Sequence, residues 1–545
     1  MAGRVTAGFF VLVFYGVFGC LIPGNDMLIN HAKKLSWNQN AWLWIIFVLL
    51  AVNVLTMELY PSVWMDEVAY TQPAANAYLG MGFTSTAWSY QLKDAFWAAN
   101  VPLHPLLLYV WFKVFGFGIC QTRLFGYVLW SLAVFFFCLA VRRFGWVTKP
   151  KALSLLAVLS FLGQGVIFAY RSARYEPLAV LLVSLCLLAF SIRPALWRHL
   201  AILLVCSFFL PACLALGPFC VVMSVLLLLT SRGKLFTELV MVGAGMVAGL
   251  AALFLFYNQF GVWDDFLRAV KDARQVYNQQ PFPPVQAGFA ALLARKGADS
   301  LQALVADKSS LILMLAIVLL LAAREKGAGL QHRGLPAFAL MVFAVVPISL
   351  QLFYSFPIYY WWMRCLPLCL VFTALVETVP LRIGPSKLNW LVIATLFLIS
   401  VSGLPGRLLL AGLDLRDRDY GRVEDFVRNS VKPRDIVFAD FQAFYPLQKL
   451  NVTAYYPAYL SQITTPQAAS VNLLVIDPLR LPGLKQILGG DWEGTGQEYL
   501  CEKRFGVKLL DRFMSNYFKE QTNRKYNLAV YRRTSSAAPT PIKHQ

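Results

Sequence analysis

Charge is scarce in this chain. Of 545 residues only 14% are Asp, Glu, Lys or Arg, and 28 of these are acids. A soluble domain carries about 25% charged residues, so the composition excludes a soluble globular protein. Histidine numbers five. The ten cysteines include no C-x-x-C pair. Nearly all lie within or beside apolar runs, where a thiol acts as a small hydrophobe. Only Cys501 falls in the polar C-terminal part, so no disulfide framework is implied. No Gly-rich phosphate loop or dinucleotide fingerprint occurs, and no nucleotide cofactor is expected. No internal repeat is evident, although many transporters carry one.

What the chain has instead is hydrophobic length. It is 58% apolar, with a mean hydropathy of +0.59. Runs near the roughly 20 residues needed to cross a bilayer recur. Candidate spans are 5–23, 41–59, 121–141, 152–169, 177–191, 199–213, 214–231, 235–257, 309–323, 335–354, 364–380 and 388–404. Strands of a membrane barrel would read as short alternations, so an all-α polytopic membrane protein is expected, with about eleven to twelve transmembrane helices. The formal net charge of +20 does not point to nucleic acid. Lys and Arg sit in short loops: "NHAKK" (30–34), "RRFGWVTKPK" (142–151), "RPALWRH" (193–199), "SRGK" (231–234), "REKGAGLQHR" (324–333) and "RIGPSK" (382–387). With these spans every one falls on one side, assigned to the cytoplasm. Segment 5–23 reads as an uncleaved extra helix or a surface helix. A cleaved signal peptide would reverse the orientation of all that follows.

The domain plan is an N-terminal helix and basic loop (1–40), a membrane domain (41–410), an α/β domain (411–535) and a disordered tail (536–545). On the far side of the membrane lie a long first loop (60–120), the turn "YRSARYEP" (170–177), a loop over 258–308 and everything after about residue 405. "HPLLLYVWFKVFG" (104–116) is too short to span and reads as an interfacial helix. In the tail, 420–430 has helical spacing, while 435–440, 472–478 and 527–533 read as buried strands.

Charged residues at the boundary carry the functional reading. Asp66 and Glu67, in "YPSVWMDEVAY", either cap a helix or serve a site, since ionisable groups at a bilayer edge are costly unless paired or functional. On a helix they project about 100° apart and do different jobs. Arg171 and Arg174 share a face if helical. They are either interfacial, with a local pair to Glu176, or hold a phosphate while Glu176 faces a metal or acceptor. His104 either bonds a phosphate or acceptor or caps the interfacial helix. Tyr359, Tyr360, Trp361 and Trp362 fit an aromatic belt with Arg364 snorkelling, or a platform for a sugar phosphate. One chemistry joins these pieces. Moving a sugar from a lipid phosphate needs a carboxylate base, cations or a divalent metal for the departing phosphate and a groove for the lipid. A transporter or flippase of lipid-linked saccharides, or a scaffold whose tail binds a partner, are the competing classes.

The order of these motifs resembles the family 39-like GT-C glycosyltransferases. That group includes protein O-mannosyltransferases, the aminoarabinose transferase of lipid A and transferases of the lipopolysaccharide core. The likeness rests on the acidic pair after an early span, the "HP…Y" segment, Arg123 at the start of the next span and "RSARYEP". It implies a GT-C fold, a polyprenyl-phosphate sugar donor, and a lipid, glycan or protein acceptor. The implied setting is a bacterial inner membrane, with the site and C-terminal domain periplasmic or extracellular. It implies catalytic roles for Asp66, Glu67 and Glu176. His104, Arg171, Arg174 and Arg364 would bind the donor phosphate, and Tyr70, Tyr359, Tyr360 and Trp361 would contact sugar or lipid. A divalent metal is expected at Asp66 and Glu176. The chain departs from the pattern in having "HPL" where relatives show "HPP" or "KPP", and in a second acid that is Glu followed by Pro.

Overall fold

The computed structural model describes residues 40–88, 91–231, 233–278, 289–323, 334–353, 357–378, 384–500 and 526–534. The expected segment 5–23, the basic stretches 30–34 and 324–333, Cys501 and the tail 536–545 lie outside the described residues. Each expected span from 41–59 onward coincides with helix. Ile119–Arg143, Ala195–Ala212, Phe236–Gln259, Ile358–Thr378 and Pro385–Ser402 are long and apolar enough to cross a bilayer singly. Two bent pairs raise the number to as many as 7 among the described residues, short of the eleven to twelve expected. Others, such as Ala41–Leu55 and Glu176–Phe190, have 15 residues each and extend only about 22 Å. The chain is a multi-pass membrane protein with a small C-terminal α/β domain.

The expected span 152–169 is broken. Helix Pro150–Leu162, begun by Pro at its first position, stops at Gly163, and helix Gln164–Arg171 leaves at 64°. The reason is close approach. A Cβ on Gly165 would meet the Asp307 carboxylate and the Cys365 Cβ at 2.9 Å, and one on Gly163 would touch Cys365 and Ser309 at 3.4 Å. The first turn of helix Lys308–Ala322 therefore docks at the break, where the Ser309 hydroxyl accepts a bond from the Gln164 N–H. That bond satisfies a backbone donor that the bend would otherwise strand in an apolar interior.

Two acids at helix ends tie down residues of the basic stretches 142–151 and 193–199. Glu377, at the end of helix Trp362–Thr378, accepts from the Thr148 N–H and hydroxyl and from the Lys149 N–H. Arg198 pairs with Glu238 at 2.9 Å. Thr148 and Lys149 thus lie at the end of helix Trp362–Thr378, and Arg198 at the start of helix Phe236–Gln259.

The C-terminal domain carries five strands: β1 (Ile436–Ala439), β2 (Thr453–Tyr455), β3 (Leu473–Ile476), β4 (Trp492–Tyr499) and β5 (Leu528–Arg533). Their order is β2-β1-β3-β5-β4. β1 is parallel to β2 and β3, while β5 runs antiparallel to β3 and β4. Strand alternation sorts the two faces. Phe438, Leu474 and Ile476 pack with Leu484, Leu488 and Trp492 beneath helix Leu481–Leu488. Val437, Leu473 and Val475 belong to another core. That second core also holds Val63, Val68, Leu108 and Phe112 of the first loop. The domain and the loop bearing Asp66 and Glu67 are therefore packed as one body. Helix Leu404–Leu413 runs across the boundary placed at 410.

Helix Phe236–Gln259 packs on Ala195–Ser207 through small residues. A Cβ on Gly245 would lie 2.6 Å from the Leu203 carbonyl, and Gly249 lies against the Ser207 carbonyl, whereas Gly243 faces open space. Small residues spaced by four let two membrane helices approach closely. Gly245→Val is expected to lower stability by about 3 kcal/mol, while Gly243→Val leaves it unchanged. Thermal unfolding of the two variants in detergent measures the difference.

Candidate functional site

Helix Met65–Tyr78 starts after Trp64 without any side-chain cap. Asp66 and Glu67 occupy its first turn, where carboxylates suit the dipole, yet neither acts as the cap. Their 100° separation sends them to different partners. Asp66 pairs with Arg174 Nη1. Glu67 accepts from Arg123 Nε at 2.8 Å and Nη2 at 2.6 Å, and from the Tyr445 hydroxyl at 2.9 Å.

Arg174 lies in the turn between helices Gln164–Arg171 and Glu176–Phe190. Its Nε and Nη2 face Glu176 at 2.9–3.1 Å, so one edge of the guanidinium is held bidentately. The other edge reaches Asp66. Aromatic rings enclose it: its Cζ is 3.5 Å from the centre of the Tyr359 ring, 4.9 Å from Tyr70 and 5.3 Å from Tyr175. Tyr175 and Tyr360 share a hydroxyl bond of 2.7 Å. Tyr70 accepts from Asn100 Nδ2 at 3.0 Å. The Asp66 side chain is 12% exposed, whereas Glu67 and Glu176 are 0%. Asp66 is thus the carboxylate of this set with an opening to the outside. Two carboxylates against one guanidinium leave a formal excess of one negative charge.

The structure brings Asp66, Arg174, Glu176, Tyr70, Tyr359, Tyr360 and His104 into one cluster. Tyr359, Tyr360 and Trp361 are buried and do not form an exposed belt. His104 is buried, edge-on to Tyr70 at 6.4 Å, and no side-chain cap forms at its helix. Burial, and then the nearby Arg174 charge, lower its pKa to about 3. It is a neutral imidazole near pH 7 and brings a hydrogen bond, not a positive charge, to any phosphate.

Other expected roles need correction. Arg171 is fully buried and commits its donors to neutral oxygens. Its Nε and Nη2 reach the Tyr60 carbonyl at 3.1 and 2.7 Å, Nη2 also reaches the Thr56 carbonyl at 2.9 Å, and Nη1 bonds Asn53 Oδ1. It caps the end of helix Ala41–Leu55 and offers no edge to a donor phosphate. Arg364 is paired with Asp307 at 3.1 Å and bonds the Ala303 carbonyl at 3.1 Å. It stands in a second cluster with Trp361, 5.8 Å from that ring centre, rather than against Asp66. Glu67, held on both oxygens and enclosed, does not face the opening. A divalent ion between Asp66 and Glu176 does not fit these residues. The Arg174 guanidinium already lies between them, and among the described residues no group of three or more His, Cys, Asp or Glu could hold a metal.

Sequence reasoning missed Tyr445, Asp307 and Asn53. Tyr445 is one of 23 tyrosines and nothing beside it marks it. Asp307 carried a readable signal, because "DKSS" before an apolar run is an N-cap pattern. It caps helix Lys308–Ala322 by accepting from the Ser310 N–H.

Comparison with known proteins shows the fold. No family model matches the chain, and no curated protein does. Among solved structures, the chain is similar to ArnT from Cupriavidus metallidurans bound to undecaprenyl phosphate. The TM-score is 0.55 at 13% identity, over 92% of this chain and 100% of that one. The arabinofuranosyltransferase AftD from Mycobacteria gives 0.46 at 14% identity, over 91% of this chain and 40% of that one. The oligosaccharyltransferase of Archaeoglobus fulgidus gives 0.46 at 11% identity, over 83% and 71%. The fold assignment rests on the first. The chain has the GT-C fold.

Two outcomes are expected. Arg171→Met strands the Tyr60 and Thr56 carbonyls, so stability should fall by about 3 kcal/mol. Thermal unfolding in detergent measures the loss. For His104 the folded pKa lies below the unfolded value of about 6.5. As pH falls below 6.5 the unfolded chain gains a proton that the folded chain refuses until about 3. Stability is therefore lost progressively across that window. His104→Asn should remove about 2 kcal/mol of the loss between pH 7 and 5, read from denaturation at the two values.

Proposed function

We propose that this chain is an integral membrane glycosyltransferase. It transfers a sugar from a polyprenyl-phosphate donor to a lipid, glycan or protein acceptor at the extracytoplasmic face of a bacterial inner membrane. The observation that carries the reading is the partly open Asp66 carboxylate held against a buried guanidinium. The GT-C fold supports it, as does the undecaprenyl phosphate seen in the ArnT structure that this chain resembles.

In this reading Asp66 accepts the proton of the acceptor O–H or N–H as that group attacks the anomeric carbon. The bond from that carbon to the phosphate oxygen breaks, and the lipid phosphate departs with the electron pair. Arg174 meets the charge that develops there. Glu176 fixes the plane of Arg174 through Nε and Nη2, which leaves Nη1 as the edge that exchanges Asp66 for phosphate. Tyr70 and Tyr359 supply aromatic faces for the sugar, and neutral His104 a hydrogen bond. Attack opposite the leaving phosphate inverts the anomeric centre.

The broken span at Gly163 favours one rival, because discontinuous helices mark many transporters. Product formed by purified protein in detergent supports the transferase; labelled saccharide crossing liposomes without new product supports the transporter. Asp66→Asn should lower transfer at least about 100-fold with undecaprenyl phosphate binding unchanged. Wild-type turnover by that variant would remove Asp66 from the reaction.

A further inference from the structure

We propose that Tyr445, carried by the C-terminal α/β domain, is a positioning residue that aims Asp66 by holding Glu67. The inference rests on the transferase reading and deepens it. The two acids are adjacent in the first, uncapped turn of helix Met65–Tyr78. On a helix the rotation that places one side chain places its neighbour, about 100° away. Whatever holds Glu67 therefore sets where Asp66 points.

Glu67 is held from two sides. Arg123, from helix Ile119–Arg143, takes both carboxylate oxygens. The Tyr445 hydroxyl donates to Oε1 at 2.9 Å across a separation of 378 residues. Burial first, and then the Glu67 charge, raise the Tyr445 pKa well above its ordinary value, so the phenol keeps the proton that this bond uses. The ring is itself fixed, 5.7 Å from Phe117, 5.0 Å from Phe444 and 5.9 Å from Tyr420.

The same domain grips the chain on either side of the acids. Three residues before Asp66, the Val63 N–H donates to the Tyr526 hydroxyl at 3.2 Å. Thr86 Oγ1 donates to the Ala454 carbonyl at 2.8 Å. Thr86 is also bonded to Gln72, two turns along the acid-bearing helix. The domain thus meets the helix before its start, at its first turn and through Gln72. Of these contacts, only Tyr445 reaches a carboxylate of the acid pair.

The test uses the purified full-length protein with a panel of undecaprenyl-phosphate sugars, following release of free undecaprenyl phosphate by mass spectrometry on the donor that wild type turns over. Tyr445→Phe keeps the ring and removes one O–H. It should lower kcat per folded molecule about tenfold with donor KM unchanged, while the unfolding midpoint falls because a buried carboxylate loses one donor. Placing 4-aminophenylalanine at 445, which keeps an N–H donor, should restore kcat to within about twofold. Glu67→Gln should also lower kcat, and adding Tyr445→Phe to it should cost nothing more, because both act on one linkage. The proposal is overturned if Tyr445→Phe has wild-type kcat, if its effect adds in full to that of Glu67→Gln, or if kcat falls only in step with the folded fraction. Inactive Asp66→Asn beside fully active Tyr445→Phe would remove this inference alone; active Asp66→Asn would remove the transferase mechanism beneath it.

Discussion

A guanidinium in an apolar interior has to be met by oxygen, and this requirement organises the site end of the molecule. Desolvating an ion costs several kcal/mol, and a membrane offers no water to relieve it. Arg174 finds Glu176 beside it in sequence and Asp66 more than a hundred residues away. Arg123 finds Glu67, Arg171 finds the carbonyls at the end of helix Ala41–Leu55, and Arg364 finds Asp307. Apart from Arg174–Glu176, two residues apart, each pairing joins segments distant in the chain. Removing one partner of such a pair costs about 3–5 kcal/mol, so the pairings restrict how the helix ends can meet. Buried pairs add little net stability; here they act as a register for the assembly.

Asp66 and Glu67 look equivalent as residue types, and the backbone separates them. Glu67 receives three donors and is enclosed. Asp66 receives one edge of Arg174 and keeps an exposed remainder. A carboxylate held on both oxygens and enclosed cannot be reached by an incoming group, and one partly open can be. The chemistry assigned to Asp66 therefore depends on what its neighbour does not do.

Much of this was legible in the sequence, for identifiable reasons. Apolar runs gave the helices because lipid selects for them directly, and the strands at 436–439, 473–476 and 528–533 came from short buried runs. Strand Trp492–Tyr499, "WEGTGQEY", was not visible. It is a mostly exposed edge strand with neither alternation nor β-branched residues beyond Thr495. Asp66, Arg174 and Glu176 could be read because charge at an apolar boundary needs a reason. Arg171 carried the same local signal and has a different job. The pattern reports that an arginine is there, but not which oxygens the fold will bring to it. Tyr445 was invisible for the converse reason, since a tyrosine in a polar domain needs no explanation until a carboxylate from the first loop meets it.

The shared core between the first loop and the sheet extends this logic from residues to domains. Val63, Val68 and Phe112 belong to the same buried cluster as Val437, Leu473 and Val475. A domain tethered only by a linker would have its own closed core and a polar contact surface. Here neither side closes alone, because separation would expose apolar side chains at about 25 cal/mol for each Å² uncovered. The C-terminal domain is accordingly part of the wall that shapes the acid-bearing helix. A role confined to capturing an acceptor would require neither the shared core nor a hydroxyl reaching Glu67.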